Sequence, residues 1–208
     1  MKVAAFSDCH SLHRELRIPK DIDLIAVAGD WTNWGRIEEA QAFLDWLALQ
    51  PAKYKVVVPG NHDFICEKAH GLIQKTCEER GLIFLVDREV EIEGKRIWGS
   101  PRTPWFGDYA FVYDPADAQY LWEQLIPDGL DLLITHGPPF KILDETRGTH
   151  AGCKDLLIDI EKKKPRFHIF GHIHQGYGSF NNGTTQFYNV AVMHAKLGIA
   201  NPITVFDI

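Results

Sequence analysis

The segment Lys55-Val56-Val57-Val58-Pro59-Gly60-Asn61-His62-Asp63 joins an apolar run to a cluster of polar side chains. The run Val56–Val58 predicts a buried β-strand, because β-branched residues favour strands. Three polar residues then stand at the end of that strand, which is where open α/β sheets place their sites. Asn61 offers a neutral carbonyl ligand and His62 offers an imidazole proton donor. The segment therefore predicts an α/β fold with a functional site at its strand ends.

The same arrangement, an apolar run followed by polar side chains, recurs elsewhere in the chain. The runs are residues 2–7 before Asp8-Cys9-His10, 24–28 before Gly29-Asp30, 132–135 before His136-Gly137, and 167–170 before Gly171-His172-Ile173-His174. Residues at i and i+2 of an extended segment point the same way, so Asp8 and His10 can face one ion. Carboxylate oxygens and imidazoles are ligands for divalent metals. Together the five segments predict a site for two metal ions.

The rest of the chain predicts alternating helices and strands. Apolar residues at helical spacing between Ile37 and Leu47 predict a helix that ends before Pro51. Further helices are predicted at about residues 68–80, 116–124 and 153–163, and further strands at about residues 83–85, 90–92, 95–99, 177–180, 185–190 and 203–207. Because no repeat or linker interrupts the pattern, we expect residues 1–208 to form a single α/β domain. Its two sheets are expected to pack face to face with helices outside.

Composition limits the possible partners and compartment. The 208 residues carry 22 Lys and Arg against 28 Asp and Glu, a formal net charge of −6, which disfavours tight binding to long nucleic acid. The four cysteines form no C-x-x-C pair and are expected to be free thiols in a reducing compartment. No leader-like apolar segment and no stretch long enough to span a bilayer is visible. We therefore expect a cytoplasmic location without a membrane partner, and the sequence does not indicate an oligomeric state.

The set D-x-H, G-D, G-N-H-D, T-H-G and G-H-x-H resembles the calcineurin-like metallophosphoesterases, over a span from Asp8 to Asn189. A closer likeness is to a small single-domain branch, the vertebrate metallophosphoesterase-domain-containing proteins and their bacterial relatives. The segments that carry it are Trp98-Gly99-Ser100-Pro101, Pro104-Trp105-Phe106, Thr135-His136-Gly137-Pro138-Pro139, Gly152-Cys153 and residues 171–178. The resemblance implies two mixed β-sheets flanked by helices, a four-layer α/β/β/α sandwich.

The resemblance also implies a division of ligands and roles. One ion would be held by Asp8, His10 and His174, the other by Asn61, His136 and His172, and Asp30 would bridge the two. Mn²⁺ is the expected metal by family likeness, with Fe, Zn²⁺, Ni²⁺ and Mg²⁺ as alternatives. His62 would be the general acid or transition-state donor. Many relatives orient this histidine with an Asp three residues after the bridging Asp, where this chain has Asn33, which carries no charge.

The expected function is that of a dinuclear metal-dependent phosphodiesterase. It would hydrolyse small phosphodiesters, such as 2′,3′-cyclic nucleotides, cAMP or cGMP, by in-line attack of a metal-bridging hydroxide. The alternatives are a phosphomonoesterase of broad specificity and a catalytically weak scaffold of the same fold. A dedicated protein phosphatase is disfavoured, because residues 29–35 lack the Asp and Arg of the G-D-x-x-D-R-G pattern.

Several residues near the strand ends are candidate substrate contacts. Aromatic rings in this position either stack on a nucleobase or pack the loops together, and those concerned are Trp31, Trp34, Trp105 and Phe106. Arg102 either pairs with a phosphate oxygen or forms a surface ion pair. Arg147 and His150 either reach the site or belong to a solvated loop.

Overall fold

The computed structural model of the chain describes residues 1–194 and 198–208. The strands in chain order are β1 (Lys2–Phe6), β2 (Leu24–Ala28), β3 (Tyr54–Val58), β4 (Ile83–Phe84), β5 (Arg88–Ile92), β6 (Lys95–Ser100), β7 (Thr103–Pro104), β8 (Val112–Tyr113), β9 (Leu132–Thr135), β10 (Glu145–Thr146), β11 (Thr149–His150), β12 (Phe167–Phe170), β13 (Gly178–Asn181), β14 (Gln186–Asn189), β15 (Met193–His194), β16 (Gly198–Ile199) and β17 (Thr204–Asp207). The α-helices are α1 (Ile37–Ala48), α2 (Phe64–Lys68), α3 (His70–Glu79), α4 (Ala118–Leu125) and α5 (Lys154–Lys163).

Two large sheets dominate the architecture, and both are mixed. The first has the strand order β17-β1-β2-β3-β4, in which β1 to β4 run parallel and β17 pairs antiparallel with β1. The second has the order β13-β14-β12-β9-β6-β5, with a parallel centre and antiparallel strands at both edges. The expectation of two mixed sheets is confirmed.

Alternation along the strands divides the apolar residues into separate cores. Val56 and Val58 of β3 join Leu132 and Ile134 of β9 in a core between the two sheets. Val57, which points the other way, packs with residues of α1 and α3 on the outer face of the first sheet. Helices α4 and α5 cover the outer face of the second sheet. The result is the four-layer α/β/β/α sandwich that the resemblance implied.

Most predicted elements lie where the sequence placed them, with two differences. The helix predicted at residues 68–80 corresponds to α3, and the short helix α2 before it was not predicted; Ala69 separates the two because it leaves helical geometry (φ −130°, ψ 44°). The short pairs β7–β8, β10–β11 and β15–β16 were not predicted, because two-residue strands carry no periodicity to detect. In the part of the chain described, no helix has the length and apolar character needed to cross a membrane.

Candidate metal centre

All five polar segments converge at one edge of the sandwich, where parallel strands of both sheets end. Beyond the ends of the strands, main-chain hydrogen bonds join these segments to one another. The amide of Asp8 donates to the carbonyl of Gly29 over 2.9 Å, and the amide of His10 donates to the carbonyl of Asp30 over 3.0 Å. In the second sheet the amide of Gly171 donates to the carbonyl of His136 over 2.9 Å. The positions of the polar side chains are therefore fixed by the main chain.

One group of candidate ligands consists of Asp8, His10 and His174, whose ligand atoms lie within 4.8 Å of one another. The Nε2 atom of His174 is 3.4 Å from Asp8 Oδ1 and 3.4 Å from the Nε2 atom of His10. Three donors that converge so closely can hold a single ion.

A second group consists of Asp30, His136 and His172, again within 4.8 Å. Asn61 belongs with them, since its Oδ1 is 2.8 Å from His136 Nε2. Asp30 faces both groups: its Oδ1 is 3.4 Å from His136 Nε2 and its Oδ2 is 3.8 Å from His10 Nε2. Asp30 therefore lies between the two groups of candidate ligands.

The chemistry of these donors fits hard or borderline divalent ions. His136 donates its Nδ1 proton to the carbonyl of Ala28 over 2.9 Å, so Nε2 is the ring nitrogen that faces the cluster, as in metal-bound histidines. Cys9 lies between two candidate ligands but is fully buried, and burial raises the pKa of its thiol well above the ordinary value. The donor set therefore consists of oxygen and imidazole without thiolate.

Backbone strain is concentrated at the candidate ligands. Asp8, His10, Asp30 and His172 adopt positive φ angles of 56°, 39°, 52° and 64°. A left-handed conformation costs a non-glycine residue about 1–2 kcal/mol. Such strain persists only where the surrounding structure imposes it, and it is typical of functional sites.

Two glycines beside the ligands are required for space. A Cβ atom on Gly171 would overlap Asp8 Oδ2 and Ser7 Oγ. A Cβ atom on Gly60 would overlap Asp30 Oδ1. Glycine at these positions lets the chain pass directly behind a carboxylate.

The charges of the cluster favour a cation. Burial would lower the pKa of His136, but the carboxylates of Asp30 and Asp8 outweigh it and raise that pKa to about 9. Burial would raise the pKa of Asp30, but the proximity and hydrogen bond of His136 outweigh it, so the pKa lies well below its usual value. Two buried carboxylates thus create a negative potential that attracts positive charge.

The sequence profile of the calcineurin-like phosphoesterases matches residues 1–176. The chain belongs to this family. It is 34% identical over 226 residues to the human metallophosphoesterase domain-containing protein 1, an alignment that covers 97% of this chain and 69% of the human one. Membership supports a metal-binding phosphoester hydrolase and agrees with the branch expected from the motifs.

Solved structures show the same fold at low sequence identity. A phosphopantetheinyl hydrolase from Mycobacterium tuberculosis superposes with a TM-score of 0.65 at 17% identity, covering 92% of this chain and 89% of that one. A structure described as a novel archaeal phosphodiesterase gives a TM-score of 0.52 at 16% identity, covering 100% of this chain and 93% of that one. The fold is therefore that of metallophosphoesterases.

His62, the candidate proton donor of this phosphoesterase, lies beside both ligand groups. Its amide donates to Asp30 Oδ1 over 2.8 Å, and its Nδ1 lies 2.9 Å from the main-chain carbonyl of Asn33. Because a carbonyl only accepts, Nδ1 carries a proton and Nε2 remains for a substrate. Residue 33 thus contacts the ring of His62 through its main-chain carbonyl and not through its side-chain amide.

Glu39, in the first turn of α1, fixes the loop that carries this carbonyl. Its carboxylate accepts hydrogen bonds from the amides of Asn33, Trp34 and Arg36 and from the hydroxyl of Ser11. The bond from Arg36 forms part of a capping box at the start of the helix. One side chain thus connects the helix with the loops after β1 and β2.

Asp63 performs a similar task for the loop after β3. Its buried carboxylate accepts from the amide and hydroxyl of Thr32 and from the amide of Gly60, over 2.7–2.8 Å. Burial and the nearby carboxylate of Asp30 raise its pKa to about 7. Asp63 lies in the G-N-H-D segment but has no predicted role, and its place two residues after the candidate ligand Asn61 was the available signal.

Three of the predicted substrate contacts point elsewhere in the phosphoesterase. Trp31 is fully buried and stacks on Phe43 of α1 at 4.9 Å between ring centroids, so its predicted contact with substrate is wrong. Arg102 pairs with Asp87 over 2.8 Å. His150 pairs with the buried Asp144 over 2.7 Å. For Arg102 the alternative of an ion pair describes the structure, and His150 is exposed, in agreement with the alternative of a solvated loop.

The aromatic residues of the loop between β7 and β8 form an exposed edge of the site. Phe106 and Tyr109 stack on each other at 4.8 Å and line, with the candidate ligands, an open cavity of about 340 Å³. Phe106 also packs against the ring of His172 at 5.1 Å. Trp105 and Phe106 are among the candidates predicted from the sequence, whereas Tyr109 is not, because its position depends on this stacking.

Proposed function

We propose that this chain is a dinuclear metal-dependent phosphodiesterase for small phosphodiesters, with residues 1–208 working as one catalytic domain. The observation that carries the proposal is the pair of adjoining ligand groups, in which Asp30 belongs to one group and lies 3.8 Å from His10 of the other. A scaffold that had lost its catalytic activity would not need two such groups of ligands.

The first ion would be held by Asp8, His10 and His174, the second by Asn61, His136 and His172, with Asp30 between them. We propose Mn²⁺ for both positions, which suits a donor set of carboxylate, amide oxygen and imidazole. When bound, two such ions supply a nucleophilic water and the positive charge that phosphoryl transfer requires.

The side chains around the ions would orient the substrate. His62, held by the carbonyl of Asn33, presents Nε2 to the cavity and, with both ring nitrogens protonated, would donate a hydrogen bond to the leaving oxygen. Because this carbonyl bears no charge, it stabilises a protonated imidazole less than a carboxylate would. His62 would therefore serve best with substrates whose leaving groups need little protonation.

A diester is favoured over a monoester by the charges at the cavity. The described lining includes no Lys or Arg, and the nearby Arg102 is paired with Asp87. A phosphomonoester carries more negative charge than a diester and would benefit from such a cation. The fold similarity to an archaeal phosphodiesterase agrees with this preference. An open cavity of about 340 Å³ suits a small substrate.

The test is hydrolysis, with Mn²⁺, of bis-p-nitrophenyl phosphate, p-nitrophenyl phosphate and 2′,3′-cyclic AMP in parallel. The wild type is compared with Asn61→Ala, which removes one candidate ligand. Asn181→Ala is the control, since Asn181 is exposed on β13 and binds Gln186. We expect diester turnover in the wild type and the control and its loss in Asn61→Ala.

The other outcomes distinguish the alternatives. Turnover of the monoester alone would replace the proposal with a phosphomonoesterase. Absence of turnover in a chain that binds at most one metal ion would indicate the scaffold.

A further inference from the structure

A second cavity, of about 310 Å³, adjoins the cavity over the metal centre, and Phe106 and His172 line both. We call it the apolar cavity, and its other principal lining residues are Pro104, Trp105, Pro138, Ala151 and Ile173. No Asp, Glu, Lys or Arg side chain is among the described residues of this lining. A charged group has no partner there, whereas an uncharged apolar group gains by leaving water.

The loop between β7 and β8 carries Trp105 and Phe106 and forms one wall of the apolar cavity. Hydrogen bonds hold this loop in place before any ligand binds. The amide of Trp105 donates to the carbonyl of Tyr113 over 2.8 Å. The amide of Ala110 donates to the carbonyl of Asn61 over 3.1 Å, and that of Phe111 to the carboxylate of Glu67 over 2.9 Å. These hydrogen bonds fix both ends of the loop between β7 and β8, so ligand binding costs little conformational entropy of the loop.

The two aromatic residues of this wall, Trp105 and Phe106, are exposed. Trp105 is 59% exposed and Phe106 is 47% exposed. Exposed apolar patches of this kind mark ligand-binding grooves, and aromatic faces stack well on flat rings. The ring of Phe106 lies 5.1 Å from that of His172, so the patch begins directly at a candidate ligand.

We propose that the apolar cavity binds an uncharged aromatic ester substituent of the phosphoester whose phosphate lies at the metal centre. The inference rests on the proposed function and names its substrate class: diesters with at least one flat, uncharged substituent. His172 and Phe106 form the boundary between the charged and the apolar parts of such a substrate. Diesters with two small or charged substituents would leave the cavity unused.

The test measures binding and therefore does not depend on turnover. Phenylphosphonate and methylphosphonate carry the same head group and differ only in the substituent. Calorimetric titration of each into the Mn²⁺-loaded chain, at a pH where both are dianions, isolates the contribution of the cavity. We expect phenylphosphonate to bind on the order of tenfold more tightly, the effect of burying one ring.

Two variants test whether the preference for phenylphosphonate arises in the apolar cavity. Trp105→Ala removes part of the wall and Ala151→Phe fills the cavity, so both should bring the ratio of the two dissociation constants close to one. Tyr120→Ala is the control: Tyr120 is an exposed aromatic residue like Trp105 but lies on α4, over the outer face of the second sheet. Its variant should keep the wild-type ratio.

Equal binding of the two phosphonates to the wild type would overturn the proposal. A preference that survives in both Trp105→Ala and Ala151→Phe would overturn it as well, because the ring would then bind elsewhere. Failure of the proposed function is seen separately: phosphonates would bind with the expected ratio while no diester is hydrolysed.

Discussion

The floor and the rim of the site are built by different means. The floor comprises the candidate metal ligands Asp8, His10, Asp30, Asn61, His136, His172 and His174. The rim comprises the aromatic residues Trp105, Phe106 and Tyr109. Floor residues follow strands directly and are buried or half-buried, whereas rim residues are exposed on a loop between two-residue strands. Under the proposed function, the floor would determine the chemistry and the rim would determine which substrate is bound.

The two regions also differ in how their conformation is maintained. Several floor residues adopt positive φ angles, held by main-chain hydrogen bonds between the loops. The rim is held by ring stacking, such as that of Phe106 on Tyr109, and by anchors at the ends of its loop. Substitutions in the floor should therefore abolish metal binding, and substitutions in the rim should change affinity for substrate.

The largest effect is expected for Asp30→Asn, because Asp30 faces both ligand groups. The variant should bind fewer metal ions and lose diester turnover on the order of a thousandfold. Metal content by mass spectrometry and turnover of bis-p-nitrophenyl phosphate measure both effects. Asp207→Asn, on the exposed face of β17, is the control. A fully loaded and active Asp30→Asn chain would show that the two groups do not share this residue.

Gly171→Ala tests whether the floor depends on close packing. A Cβ atom there would overlap the carboxylate of Asp8, so the backbone must shift at a cost of about 1–3 kcal/mol in the free energy of unfolding. Urea denaturation of the metal-free chain measures this cost. Gly71→Ala on α3 meets no atom within 4 Å and should instead stabilise the chain, by up to about 1 kcal/mol. Equal stability of the two variants would contradict the packing account.

The floor was predictable from the sequence, because its residues follow strands at i, i+2 spacing and parallel strand ends meet at one edge. One aromatic contact was wrong for a reason that strand alternation does not give. Trp31 follows the candidate ligand Asp30 directly but is fully buried in the core, as is Cys9 between Asp8 and His10. Because Asp8, His10 and Asp30 adopt positive φ angles, the directions of their neighbours' side chains do not follow from the pattern of a strand.

The rim, and the residues that hold the floor in place, were less predictable from the sequence. The position of Tyr109 depends on hydrogen bonds from its loop to residues more than 40 positions away in the chain, such as Glu67. The bond between His62 and Asn33 uses a main-chain carbonyl, which every residue has, so no residue type indicates it. The role of Glu39 could not be predicted for a related reason: most of its partners are main-chain amides, which no sequence motif indicates.

Glu39→Gln tests the connection between α1 and the floor. The amide retains the shape but offers one oxygen in place of two, so the four hydrogen bonds from the loops cannot all persist. We expect kcat to fall about tenfold through misplacement of His62, with KM and metal content little changed. Glu38→Gln, the exposed neighbour on the same helix, is the matched control. Loss of metal from Glu39→Gln would assign the residue to the floor itself.

The smallest effect is expected for Tyr109→Ala, which alters the rim alone. The ring of Tyr109 stacks on Phe106 and lies 5.3 Å from that of His62, but it is in neither ligand group. Removal of the ring should raise KM for bis-p-nitrophenyl phosphate about three- to tenfold, because a substrate ring loses apolar contact. Metal content should equal that of the wild type and of the control Tyr120→Ala. If Tyr109→Ala lost metal instead, the rim would be a structural part of the floor, and the separation of chemistry from substrate binding would not hold.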